Sequence, residues 1–526
     1  MSNKKLLELS YSKGRRMGIF AMLIACFALW GLLNNMTDNL VPAFQKIFTM
    51  DQSKAGLIQV AFYGAYAVLA IFASILVEEF SYRIGVLIGL AVYVCGALLY
   101  IPACTLASFD IYFIAIFVVA AGCSLLETTC NPYVLALGPK ETAVRRLNFA
   151  QAFNPLGSVL GVFLARGLIL ANLNPATVEE RAQMPAEQLK GIVNGELFWV
   201  CVPYVGLCAL AVVIWIFFLR INPFMSRFEE KKVGVSRVLT AGLFAVVPLG
   251  GLYALFPQMD KVVWILLGML GPVAYVVWVK DYREMLFALL RSPKYVGGVV
   301  AQFFYVGVQI AVWTWLNVYC QKELGVTPTV AANYYLISIL LFIACRWVAT
   351  ALMKFVNPSG LLAVFAVGGM LAGVGTMLLP STVLFTVGGM AFSANVLSLI
   401  AVSGCMSLMF PTIYGLAFEG LDPKAFRLGA AGLIMSILGG AIITPWMSGV
   451  LGAKESVFFA LVKGADATWD ANLMTSDLAL RASFAIPVVC FGVVLAYAVG
   501  CWCGRGTRNS CAIDSSQRRS RYVKGN

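Results

Sequence analysis

The chain of 526 residues contains no histidine. Neutral imidazole is therefore excluded as a metal ligand, and any proton relay has to run through carboxylates. Charge is scarce too. Asp, Glu, Lys and Arg make up 12% of the residues, against about 25% in soluble domains. No GxxxxGK[ST] element is present, nor a polar domain to hold one, which argues against ATP-driven work. A cleavable leader is not expected, because the first apolar run is too long and no small-residue cleavage site follows it. That run should stay as a membrane anchor. The 14 cysteines show no metal-ligand spacing, and most of them, Cys26, Cys95, Cys123, Cys208, Cys345 and Cys490 included, lie inside apolar runs, where cysteine acts as a small hydrophobe. Cys501-Trp502-Cys503 near the tail reads as incidental. No cofactor is expected, and no catalytic cluster marks an enzyme.

Apolar residues are what the chain has in abundance, at 60%. A hydrocarbon core of about 30 Å takes about 20 apolar residues per helix. Runs of that kind fall near 17–47, 54–77, 83–103, 108–137, 145–171 and 197–220, then 237–256 and 262–279, then 294–320, 329–354, 360–379, 382–418, 426–451 and 478–502. The sequence thus predicts an all-α polytopic membrane protein of 14 segments. The formal net charge of +13 comes with no basic–aromatic module that would hold nucleic acid. With the N-terminus placed inside, the predicted cytoplasmic loops and tail outweigh the opposite side in Lys and Arg by about three to one. Both termini are therefore expected in the cytoplasm, in a cell inner (plasma) membrane, with the lipid bilayer as surroundings and a monomer as the working unit.

The pattern divides into a six-helix bundle over 1–220, a charged linker and apolar two-helix hairpin over 221–293, a second six-helix bundle over 294–504, and a basic tail over 505–526. Asn131-Pro132-Tyr133 in the fourth run and Phe410-Pro411-Thr412 in the tenth core run stand at matching places. Matching breaks in two halves point to a parallel repeat with a central site between them. The hairpin is nearly free of polar residues and preserves topology, so a peripheral position is expected.

Glu127 is the most informative residue. It follows a long apolar stretch, and an ionisable group at the centre of a membrane helix costs about 2.5–3.5 kcal/mol on insertion scales. One reading makes it a structural carboxylate paired with Arg166 or Arg346. The other makes it a functional acid: burial favours the neutral carboxyl, so such a group can exchange a proton near neutral pH and couple that exchange to a conformational switch. In the first run, Asn34, Asn35, Thr37 and Asp38 interrupt a helix that resumes through Leu40, Val41, Phe44, Ile47 and Phe48. Either the helix ends at Leu33 and Asp38 lies in a loop, or a long helix turns a polar face to a cavity. Asn148, Gln151 and Asn154 share a face of the fifth helix, before Pro155 and Gly157. Gln302 and Gln309 share a face of the seventh core helix with Tyr305 nearby, and Asn333 follows on the eighth. Amides supply both donors and acceptors. Set among aromatic rings they suit a hydroxyl-rich solute such as a monosaccharide.

Asn34-Asn35-Met36-Thr37-Asp38, Ala55-Gly56-Leu57-Ile58-Gln59-Val60-Ala61-Phe62-Tyr63-Gly64, Leu126-Glu127-Thr128 with Asn131-Pro132, Arg146-Leu147-Asn148-Phe149-Ala150-Gln151 and Ala331-Ala332-Asn333-Tyr334 resemble the fucose permease family. That family comprises L-fucose:proton symporters and related hexose transporters of the major facilitator superfamily. The resemblance covers both halves and leaves out about 221–290 and the tail. It implies a major facilitator fold and alternating access. Asp38 and Glu127 would be the acids of sugar recognition and proton coupling, and Gln151 would match the family's helix-five glutamine. Asn35, Asn148, Gln302, Tyr305, Gln309 and Asn333 remain candidate sugar contacts. Thr37-Asp38 departs from the family's Asn-Asp, and the apolar pair lies outside its twelve-helix pattern. The sugar is open, with L-fucose favoured over glucose or galactose. A sodium-coupled or facilitative transporter is the rival, followed by a sugar sensor, against which the short tail weighs.

Overall fold

A computed structural model describes residues 13–38, 40–50, 57–177, 180–181, 183–220, 234–255, 269–421, 425–452 and 477–503. Among them, 12 helices are long and apolar enough to cross a membrane. They are α1 (Arg16–Thr37), α2 (Ala61–Glu79), α3 (Tyr82–Thr105), α4 (Phe109–Ala136), α5 (Lys140–Asn172), α6 (Ala186–Arg220), α7 (Pro293–Leu324), α8 (Pro328–Leu352), α9 (Pro358–Leu378), α10 (Ala394–Ala417), α11 (Phe426–Thr444) and α12 (Leu480–Cys503). Their outward faces are apolar: Leu210, Val213 and Phe217 on α6 are each about half exposed. Water would penalise such a stripe, whereas lipid tails match it.

Two expectations change in detail. The helix expected over 382–418 starts at Ala394. Ahead of it, Val383–Val387 and Met390–Ser393 form an antiparallel hairpin, β1 and β2. Gly388 and Gly389, with φ of 57° and 79°, make its two-residue turn, and positive φ at both central positions is what such a turn demands. Of the expected pair 237–256 and 262–279, the structure describes a helix Val235–Leu255 and a short helix Leu270–Trp278; residues 256–268 lie outside the described set. Val235–Leu255 packs on α2 and on Leu270–Trp278. A surface helix, Lys280–Leu290, follows. Its Tyr282 donates to the Glu79 carboxylate at 2.5 Å, and Arg237 bridges Glu79 (3.4 Å) and Asp281 (3.1 Å). Burial, and then the Glu79 carboxylate, hold the Tyr282 phenol well above its usual range, so it stays a donor.

The chain divides into two compact units, one drawn from Met1–Arg291 with Gly420–Ile437, the other from Ser292–Glu419 with Leu438–Asn526. In the first, α1 and α5 pack with backbones nearly touching. A Cβ on Gly157 would stand 2.0 Å from the Ala28 carbonyl oxygen. The second unit repeats the device between α7 and α11, where a Cβ on Gly439 would stand 2.0 Å from the Phe303 carbonyl oxygen. Small residues that let helices approach are a main source of packing where lipid removes the hydrophobic drive. Each unit also carries a bidentate Arg–Glu clamp, buried in the first and part-buried in the second. Arg181 bonds Glu196 at 2.5 and 2.8 Å and reaches the Lys46 carbonyl. Arg481 forks onto Glu323, which also accepts from Asn395 at 2.8 Å. These two pairs satisfy charges that would otherwise be costly inside.

Candidate functional site

In the first unit the expected residues meet on α4 and α5. The 28 residues of α4 stay helical through Pro132, and Glu127 sits two-thirds of the way along. It is 6% exposed, between neighbours Leu126 and Thr128 at 0% and 1%. Among the described residues no lysine or arginine forms an ion pair with it. One turn later Asn131 Nδ2 donates to the Glu127 carbonyl at 3.0 Å, and Asn131 Oδ1 accepts from Gln151 Nε2 at 2.7 Å. Gln151 closes the first segment of α5, Ala143–Gln151, and Phe153–Leu164 continues it. Pro155 lacks the N–H that would bond the Gln151 carbonyl, which loosens the helix at this point. An amide bridge thus fixes Gln151 to the turn carrying Glu127.

The other candidates of this unit have contacts of their own. Asn148 is fully buried, and its amide nitrogen donates to Val144 O within its own helix at 3.0 Å. Asn154 donates to Phe27 O on α1 at 3.3 Å and so serves the seam between α1 and α5. Asn35 is buried on α1. Asp38 closes the helix Lys13–Asp38, so the first run does continue past Leu33; the Asp38 side chain lies outside the described residues. Thr37 pairs with Tyr204 of α6 at 3.2 Å, a link between residues 167 apart that no local pattern announces. Tyr66 of α2 was also invisible in the sequence, as one tyrosine in an apolar run. Its buried hydroxyl stands beside the Glu127 carboxyl and the Cys123 thiol, without a hydrogen bond of ordinary geometry among the described residues.

In the second unit, Gln302 and Tyr305 are fully buried on one face of α7. Among the described residues neither amide atom of Gln302 has a hydrogen-bond partner, and the Tyr305 hydroxyl, beside the Phe410 backbone, makes no hydrogen bond of ordinary geometry. Buried polar groups of this kind are usually satisfied. Gln309 on α7 and Asn333 on α8 are half-buried. Arg346 of α8, which the sequence could not place, is 3% exposed, and its guanidinium carbon lies 4.6 Å from the Phe342 ring centroid. It also faces Tyr305, whose ring stands 6.4 Å from that of Phe410. Trp313 donates to Ser403 at 3.1 Å, and Ser403 pairs with Ser338 at 2.6 Å, joining α7, α10 and α8. No group of three or more Cys, Asp or Glu side chains suited to a metal occurs among the described residues.

The pattern of spans has a counterpart in known proteins. Residues 18–445 match the family model of the Major Facilitator Superfamily. The chain belongs to the Major Facilitator Superfamily. Within the superfamily it is 33% identical to an L-fucose-proton symporter of Haemophilus influenzae over 489 residues, covering 92% of this chain and 96% of the relative. A second L-fucose-proton symporter, from Escherichia coli, is 30% identical over 483 residues, with 91% and 92% covered. The crystal structure of a major facilitator transporter, FucP, in the outward conformation superposes with a TM-score of 0.69 at 27% identity, covering 93% of this chain and 99% of that one. These likenesses place the chain in the fucose permease family of the superfamily.

Proposed function

We propose that the chain imports a monosaccharide, L-fucose favoured, by proton symport with alternating access. Asp38 and Glu127 are the protonatable pair. Gln151, Gln302 and Tyr305 are the leading sugar contacts, with Asn35, Asn148, Gln309 and Asn333 as further candidates. The observation that carries the reading is Glu127: a carboxyl buried in an apolar helix, without an ion pair among the described residues, and fixed from behind by the Asn131–Gln151 bridge. Likeness over nine-tenths of the chain to two L-fucose-proton symporters supports the solute and the coupling ion. The buried Gln302 amide, without a hydrogen-bond partner among the described residues, supports a polar guest. No enzymatic step is involved.

The apolar pair within 237–279 is the addition to the twelve-helix plan, giving 14 segments. It packs as a peripheral hairpin on α2, fastened through Arg237 and Tyr282. The excess of Lys and Arg on one side supports both termini in the cytoplasm, in an inner membrane, with a monomer surrounded by lipid as the working unit. Bundles over 1–220 and 294–504, a linker and hairpin over 221–293, and a tail over 505–526 complete the plan.

Uptake into proteoliposomes decides the reading. A proton gradient should drive accumulation of L-fucose, and Glu127→Gln should abolish it. Undiminished proton-driven accumulation in that variant would remove the role given to Glu127. Equal accumulation under a sodium gradient would overturn proton symport, and preference for glucose or galactose across a hexose panel would replace the sugar.

A further inference from the structure

Tyr66 is one of the large side chains of α2, and 2% of its surface is exposed. Its hydroxyl is fully buried and, among the described residues, makes no hydrogen bond of ordinary geometry. α2 packs along α4, and the groups beside the hydroxyl are the Glu127 carboxyl, the Cys123 thiol one turn earlier on α4, and Tyr63 one turn back on α2. Of these, only the carboxyl is a strong hydrogen-bonding group that must be served in two forms. An ionised carboxyl only accepts, whereas a protonated one also donates. A phenol hydroxyl rotates to suit either form, giving its proton to the carboxylate or taking one from the acid. An amide or an ammonium group at the same place could not serve both forms through one atom.

We propose that Tyr66 is a positioning residue for Glu127, its hydroxyl holding the carboxyl in one place through both of its protonation states. The proposal rests on Glu127 being the proton-coupling acid. It explains how a buried carboxyl without an ion pair among the described residues keeps a defined position while its charge comes and goes. It also explains why a tyrosine hydroxyl stands inside an apolar helix, where a donor with no group to serve would be costly.

The remaining titratable groups around α4 leave Tyr66 as the donor of choice. On α4 itself, Cys123 and Cys130 face Glu127. From α1 comes Cys26, which pairs with Cys130, and from α3 Tyr93, which faces Cys123. On α5, Arg146 is spent on the Val134 and Leu135 carbonyls at 2.8 and 2.7 Å. Arg427, in the first half of α11, is directed to Glu78 and over the Tyr82 ring. Thiols are weak donors, so none of these replaces the phenol.

The test is the pH profile of proton-driven L-fucose uptake in proteoliposomes, in the native protein, Tyr66→Phe and Glu127→Gln. Losing the donor penalises the carboxylate more than the acid. Tyr66→Phe should therefore move the midpoint of the profile towards alkaline pH by about one unit while maximal uptake is kept. Placing 3-fluorotyrosine at 66 gives a near-isosteric, more acidic phenol. As a stronger donor it should move the midpoint the opposite way, and it decides the matter if Tyr66→Phe does not fold. Native midpoints in the variants that fold would overturn the inference, and the role of Glu127 would stand as long as Glu127→Gln abolishes proton-driven uptake. A native profile in Glu127→Gln would instead remove the acid itself, and this inference with it.

Discussion

Arg346 donates its Nε hydrogen to the Ser407 carbonyl, the oxygen that Pro411 leaves without its helical partner. Proline has no N–H, so a proline in a helix orphans the carbonyl four residues back. Here that carbonyl is buried and an arginine from α8 fills the gap, with its charge set against the Phe342 face. The break between the two segments of α10, Ala394–Met406 and Met409–Ala417, and the arginine on α8 thus form one feature.

A double-mutant cycle on this pair has a clear expected outcome. Arg346→Met should destabilise the protein by about 1–3 kcal/mol, the cost of a buried carbonyl left unpaired. Pro411→Ala added to it supplies an N–H that can close onto the Ser407 carbonyl, so the double variant should recover part of the loss. Thermal unfolding in detergent reads the effect. Strictly additive losses would mean that the Ser407 carbonyl is not what the two residues share.

Gln151 and Asn131 allow scaffold and site to be told apart. Gln151→Leu leaves Asn131 Oδ1, which is fully buried, without its donor, and about 1–3 kcal/mol of stability should go with it. Replacing both amides by leucine removes donor and acceptor together, and stability should return close to native. If Gln151 touches the sugar, uptake should stay below about a tenth of native in the double variant, the loss expected of one good hydrogen bond. Uptake that recovers along with stability would make the bridge purely structural.

Much of this was legible in the chain itself, for definite reasons. Spans follow from apolar runs, because lipid admits few alternatives to a helix. Glu127 stood out because a carboxylate in such a run needs a cause. The start of α10 was misread because Leu384, Phe385 and Val387 look like helix, although the Gly388-Gly389 pair after them is a hairpin turn signal. Tyr66 and Arg346 were beyond reach for another reason. Their meaning lies in partners 61 residues away in each case, Glu127 for Tyr66 and Ser407 for Arg346, and a single sequence does not say which helices touch. The Asn131–Gln151 bridge spans a loop and two helices, so its residues were visible as polar but their bond was not.

The glycine seam between α1 and α5 gives the sharpest test of the packing. At Gly157 an added methyl group would stand 2.0 Å from the Ala28 carbonyl oxygen and 3.0 Å from the Leu32 nitrogen. Both are backbone atoms, so relief requires moving a whole helix rather than turning a side chain. At Gly206 on α6 nothing lies within 4 Å of the same added atom. Gly157→Ala should therefore cost at least the 1–3 kcal/mol typical of overpacking. Gly206→Ala should be neutral or gain up to about 1 kcal/mol from higher helix propensity. Thermal unfolding of the two variants side by side, with elution profiles to report aggregation, measures the difference. Equal stability would mean that α1 and α5 do not approach as closely as the seam requires. Because Gly157 lies six residues after Gln151 on the same span, a helix pushed away from α1 would also carry Gln151 away from Asn131. Loss of uptake in Gly157→Ala, with Gly206→Ala unaffected, is the functional outcome expected from the same displacement.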